Sequence, residues 1–487
     1  MITGSMGRTA WAAGAGLLFV AASAAWAGQY SHGYWEAPWW HDPNAWVPKA
    51  VPGEADTANI HYGITLQDYP GWVVSIGTLN IDTYISWGPP PDIDIEGRAF
   101  NILQGGQWQW GGFHDYYTQS GTINNYGTLQ LVDDIADHYN NGPDIVDAVN
   151  HSVQWGLTFN NYGTMQQDSR GSFHRGAGAC RYFNYGLHDI TVDGGISSQG
   201  HGGEGTVNYG VLRKSGGTGV TTIGGDFTND GLVESLSGRI YVDNSLDYEG
   251  WWTHELLGGT WKVADGADIV IASRGELEVN SGQVILDGAS AAFYTTQTYT
   301  YTPIEDSLLI NAGTLELHGD RTFARPVTNT GLWTIGDGTA LTVDLANDGR
   351  LTGGNSPGQA VIDGDFVQGG GGRLEIEIGG LTPGDGYDVL TVTGTATLGG
   401  TLEVLLFGGF DPGAIPDGFS FAILQAEEIV GGFDAVAVDS DLMGWFEMAW
   451  NPSPTGPDTL GIVYHVPEPA TLLLLMVGGA ALAGRRR

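Results

Sequence analysis

One short stretch gathers side chains able to do chemistry: Asp168, Arg170, His174, Arg175 and Arg181. A carboxylate or imidazole base beside guanidinium groups is what a polysaccharide lyase uses, the base removing a proton and the cation steadying the enolate-like intermediate. A solvated loop accounts for the same residues. Hydrolase carboxylates cannot be singled out from 55 Asp and Glu residues without geometry. The pairs Asp92/Asp94 and Asp363/Asp365 offer oxygen ligands for Ca2+, with Asp363 and Asp365 the candidates carried forward. Neither pair fits an EF-hand loop, and solvated turns explain both. Trp35, Trp39, Trp40 and Trp46 can stack on sugar rings or close off an apolar core. Cys180 is the only cysteine, so no disulfide framework exists, and a small buried residue is the plain reading. No catalytic residue and no resident cofactor are assigned, and a non-enzymatic chain is expected.

The elements holding these residues follow from composition. Gly makes up 79 of 487 residues, and the formal net charge is −37. An interior Gly costs a helix about 1 kcal/mol, so a chain this rich in Gly is expected to be β. So acidic a chain will not neutralise phosphates, which excludes nucleic acid as a partner. With 41% hydrophobic residues there is ample core material.

A motif of Asn, any residue and Gly recurs. It stands at Asn125/Gly127, Asn161/Gly163, Asn184/Gly186, Asn208/Gly210, Asn229/Gly231, Asn280/Gly282, Asn311/Gly313, Asn329/Gly331 and Asn347/Gly349. Successive Asn residues are 36, 23, 24, 21, 51, 31, 18 and 18 positions apart. A step near 20 in a β-rich chain reads as a solenoid, each coil holding short strands and covering its neighbour's apolar face. The expected fold is all-β, a right-handed parallel β-helix; an array of β-sandwiches is the alternative, disfavoured by the 18-residue steps. Asn and Gly suit the left-handed conformation expected at each corner. In register, the Asn amides bond along the stack, and Tyr126, Tyr162, Tyr185 and Tyr209 stack beside them. Thr296, Thr298, Thr300 and Thr302 alternate, as do Thr391, Thr393, Thr395 and Thr397, each row suiting one strand face.

The expected organisation is a signal peptide over 1–27, a Trp-rich cap over 28–110, coils over 111–350, a β module over 351–464 and a sorting tail over 465–487. Arg8, an apolar run and Ala25-Trp26-Ala27 make a secretory signal cut after Ala27. At the other end Pro467-Glu468-Pro469 precedes a leucine-rich run and Arg485-Arg486-Arg487. The uncharged run 470–484 would measure about 22 Å as a helix, short of the ~30 Å hydrocarbon core, a gap that flanking residues and local thinning can close. The arginines place the chain's end on the cytoplasmic side.

This tail resembles the PEP-CTERM sorting signal, also catalogued as the ice-binding-protein C-terminal motif. The resemblance implies cleavage by an exosortase near the tripeptide and transfer to the cell surface or exopolysaccharide matrix of a Gram-negative-type bacterium. Pro52 to Ile60, with Trp46, resembles the opening of many PEP-CTERM β-helix proteins. Asn355-Ser356-Pro357-Gly358 and the alternating strands after it resemble the end of autotransporter-type passenger β-helices. The expected function is an exported structural or adhesive protein, tethered to the inner membrane by its tail. Its expected partners are signal peptidase, exosortase and exopolysaccharide. The alternatives are a secreted β-helix polysaccharide lyase or hydrolase, and a carbohydrate-binding protein.

Overall fold

In the computed structural model, residues 122–131, 158–175, 180–198, 205–249, 253–272, 275–297, 300–353, 357–439, 445–454 and 456–466 are described. Between residues 29 and 110, and over 151–153, only strand segments of the backbone are described. The signal segment, Trp35, Trp39, Trp40, Asp92 and the tail from Pro467 lie outside the described residues, as does the side chain of Trp46.

The chain is all-β. Its strands form one 30-stranded sheet, one 14-stranded sheet and a two-stranded pair, with mostly parallel pairing inside the two large ones. Among the described residues, helix is confined to Ile304–Ser307 and a 3-10 turn at Pro412–Ala414.

The stacking follows from the alternation in each short strand. In Thr128–Leu131, Thr164–Gln167 and Leu187–Ile190 every second residue is buried. Parallel pairing in register then lines up the buried positions from coil to coil. One interior column runs Leu129, Met165, His188, Leu212, Val233, Trp261, Val284, Leu315, Trp333, Leu351, Leu374 and Leu402. Each of these side chains is essentially excluded from water. Burying a large apolar side chain contributes about 1.5–3 kcal/mol, and here the covering atoms belong to the coils on either side. This is the strand pattern of a parallel β-helix.

Parallel stacking does not stop at residue 350. Arg350–Gly353 pairs with Arg373–Ile378, which pairs with Thr401–Leu406, which pairs with Ala435–Val438. The antiparallel part of this end is Ser420–Gly431, Asp458–His465 and Trp445–Asn451, laid side by side over the last coils. Phe421, Phe446 and Tyr464 close the core beneath them. At the other end, Thr57–Ile60, Val74–Ile81 and Ala99–Trp110 pair in parallel and lead directly onto Thr122–Asn125 and Thr128–Leu131. The Trp-rich segment therefore supplies stacked strands of its own.

Two expectations are corrected here. The left-handed corner is absent: Gly127, Gly163, Gly210, Gly313 and Gly331, like their counterparts Gly186, Gly231, Gly282 and Gly349, are not among the residues with positive φ. Glycine is needed there for another reason. A Cβ at Gly163 would overlap the carbonyl oxygen of Gly127, one at Gly210 that of Gly186, and one at Gly331 that of Gly313. The stacked corners approach too closely for any side chain. The first threonine row is also folded over: Ala292–Gln297 turns back onto Thr300–Pro303, so Thr296 faces Tyr301 across a hairpin.

Candidate functional site

The Asn–x–Gly corners carry a continuous side-chain hydrogen-bond ladder. Asn125 Nδ2 donates to Asn161 Oδ1 at 2.7 Å, Asn161 to Asn184 at 2.7 Å, Asn184 to Asn208 at 2.7 Å and Asn208 to Asn229 at 2.9 Å. The second Nδ2 hydrogen goes to a backbone carbonyl of the next coil: Thr164 for Asn125, Leu187 for Asn161 and Val211 for Asn184. Every amide is buried, and this double use satisfies both of its donors.

The ladder stops at Asn229 and restarts at Asn280, running through Asn311, Asn329 and Asn347 to Gln368. The missing rung is Leu256, which pairs with Asn280 and is fully buried. At this corner Tyr248–Glu249 pairs antiparallel with Glu255–Leu256, and Asp247 turns in to accept from the Asn229 backbone N–H. With leucine before it, Asn280 Oδ1 has no donor; at the far end Gln368 Nε2 has no acceptor, where the register Phe366↔Ala396 and Val367↔Thr397 runs on toward Leu398. Both orphans mark ends of a ladder, as its one-way polarity requires.

Outside the corner, Tyr126, Tyr162, Tyr185 and Tyr209 form a face-to-face column with centroid spacings of 5.0, 4.7 and 5.0 Å. Beside it lies a depression of about 310 Å3, lined by Arg181, Phe183, Gly205, Val207, Asp226 and Leu246. Arg181, Gly205 and Asp226 are consecutive in register. The absent side chain at Gly205 leaves a gap one coil high between the guanidinium and the carboxylate. A Cβ there would meet only the Asp226 carbonyl, at 3.9 Å, so this glycine shapes the surface rather than permitting the stack.

The residues singled out for chemistry do not converge. Arg175 is buried and donates to the Gly224 carbonyl at 2.6 Å. Arg170 and Arg181 are exposed on separate parts of the coil. For His174 only the backbone is described, paired with Ser152 and Ser197. Asp168 is engaged by Gln130, Gln166 and Thr191. Cys180 is buried. Inside the coils His188 is held by the Tyr182 hydroxyl at Nδ1 and Gln167 Oε1 at Nε2, both at 3.1 Å. Its burial pushes the imidazole down to about 3, so it is neutral.

Asp363 accepts from the hydroxyls of Thr393 and Thr342, and Asp365 accepts from the Thr395 N–H. Among the described residues no group of three or more His, Cys, Asp or Glu side chains is placed to hold a metal ion. The acids have another use that residue counting alone did not reveal. Asp320 accepts from Ala340 N–H, Asp337 from Gln359, Asp344 from Asp365 and Asp434 from Gly400. Corners between strands leave amide hydrogens without a ladder partner, and aspartates from a nearby coil supply the acceptor.

Two further aspartates are buried. Burial pushes Asp388 up to about 7, against the hydrogen bonds it accepts from the Glu377 and Gly358 amides. Burial likewise raises Asp247 to about 6, against the Asn229 amide. The folded chain thus holds protons that the unfolded chain releases at the ordinary carboxylate value. Their contribution to stability is complete below about pH 4 and is lost as the pH climbs through about 6 to 7. Asp168 behaves oppositely: burial acts to raise it, but bonds from Gln130, Thr191 and Gln166 outweigh burial and hold it low. Its contribution disappears below the ordinary carboxylate range. The melting temperature should therefore fall as the pH rises from about 4 to about 7, with Asp388 contributing the larger part and Asp247, which is more open to solvent screening, the smaller. Asp388→Asn should flatten that slope; a slope unchanged by the substitution refutes the assignment.

Residues 465–487 match the PEP-CTERM protein-sorting motif family. No curated protein matches the chain. The motif marks an exported, surface-directed chain processed by exosortase. Among the described residues no helix is long and apolar enough to cross a membrane; the expected tail helix lies outside them.

Proposed function

We propose that this chain is a structural or adhesive rod at the bacterial surface: a right-handed β-helix, exported by its N-terminal signal, tethered by a tail helix and released from the tether by exosortase. The observation that carries the reading is the tail match joined to a body whose polar order serves stacking. Buried amides and corner aspartates are consumed in holding coil to coil. Exopolysaccharide is the partner this acidic surface suits, through hydroxyl and carboxylate contacts rather than through cationic attraction.

Mass spectrometry of the surface-exposed form tests the sorting half. The mature chain should begin at Gly28 and end near Pro467–Pro469; retention of Arg485–Arg487 at the surface rejects exosortase processing. Incubation with the host's exopolysaccharide tests the other half, since release of shortened products would replace the rod by a lyase or hydrolase acting from the Arg181–Asp226 depression.

A further inference from the structure

The tyrosine column is laid out for a reaction that neither the ladder nor the sorting tail explains. Adjacent rings lie within 6–8° of parallel, so the faces of Tyr162 and Tyr185 are covered by their neighbours. The 43–44% of Tyr162 and Tyr185 still exposed is therefore mainly ring edge, which carries the hydroxyl and the ortho carbons. A sugar cannot stack on a face already occupied. What remains at the surface is a row of phenols, each holding its reactive edge beside an identical one.

We propose that Tyr126, Tyr162, Tyr185 and Tyr209 form an oxidative cross-linking site, in which neighbouring phenols within one chain are joined as dityrosine. Each of two adjacent phenols loses one electron and its hydroxyl proton to become a phenoxyl radical. The radicals form a carbon–carbon bond between ortho positions, and the displaced ortho hydrogens return to the oxygens. The product has lost two hydrogen atoms in all. The oxidant is a hydrogen peroxide-fed haem peroxidase, each peroxide accepting two electrons and two protons to become two waters. Holding the partners side by side makes the coupling intramolecular, which favours it over encounter between separate chains. The corner backbones stay locked, so from a ring spacing of 4.7–5.0 Å the ortho carbons meet by rotation of the two side chains about χ1 and χ2. By contrast Tyr294 and Tyr301, at 6.1 Å and 79°, meet edge to face and do not align equivalent carbons. In a chain with a single cysteine, such bonds would tie coil to coil from outside, where disulfides cannot.

The test treats dilute full-length chain with horseradish peroxidase and hydrogen peroxide, followed by peptide mapping. The expected result is linked peptides joining Tyr162 to Tyr185, or Tyr185 to Tyr209, within one chain, each two hydrogens lighter and with dityrosine fluorescence. Tyr162→Phe combined with Tyr209→Phe keeps four stacked rings but leaves no two phenols adjacent, and should abolish every link from the column. Tyr162→Phe alone should retain the Tyr185–Tyr209 link and lose the others. Links formed only between chains, or a yield in the double variant equal to that of the parent, would overturn the proposal.

Discussion

Gly331→Ala should cost on the order of 4 kcal/mol and melt the rod well below the parent, although it adds one methyl group. The new Cβ would strike the Gly313 and Ala312 carbonyl groups, all backbone. Neither coil can give way cheaply. Gly331 N–H bonds Asn311 O at 3.0 Å and Leu332 N–H bonds Gly313 O at 2.8 Å, so relieving the overlap breaks the rung spacing itself. Gly338 supplies the control. It sits at φ 67°, and a Cβ added there would have no atom within 4 Å, so alanine meets only backbone strain, about 1–2 kcal/mol. Thermal melts of the two variants separate the explanations. Equal losses would mean that conformation, not close approach, fixes glycine at the corners.

Asn329→Leu should be nearly as damaging, although leucine is close in size. Asn329 accepts from Asn311 at 2.8 Å and donates to Asn347 at 2.7 Å and to the Arg350 carbonyl at 3.0 Å. Removing it strands a buried donor on Asn311 and a buried acceptor on Asn347, each costing about 1–3 kcal/mol. The natural leucine at 256 shows what this entails: it stands in register with Asn280, whose Oδ1 is left without a donor. Denaturant titration of the variant should show a loss of about 3–5 kcal/mol. A loss near zero would mean that the ladder is decoration on a fold held by its apolar columns.

Both variants show which parts of the molecule could be read from residue order. Asn125, Asn161, Asn184 and Asn208 announced themselves because one column of the stack is one recurring letter, and the tyrosines after them stack for the same reason. Spacing alone could not say why glycine follows: a left-handed turn and a close approach demand the same residue, and only the backbone path tells them apart. Arg175 looked like part of a solvent-facing cluster with Arg170 and Arg181, yet strand alternation turns it inward. His188 shares an interior column with Met165 and Leu212, partners 23 and 24 residues away, and its neutrality depends on Tyr182 and Gln167. The depression at Gly205 was invisible because it is made by a missing side chain between Arg181 and Asp226. Acidic corners were hidden among many acids until each was matched to an amide one coil away.

Successive corner asparagines lie 36 residues apart at one step and 18 at another, yet each pair meets through the same amide bond at 2.7 Å. Axial reach is therefore counted in rungs, about 4.8 Å each, and not in chain length. Extra residues swell the girth and leave the ruler unchanged, whereas duplicating a single Asn–x–Gly segment lengthens it by one graduation. Copying or deleting whole turns would therefore change the length of the stack, while insertions within a turn would change only its sides.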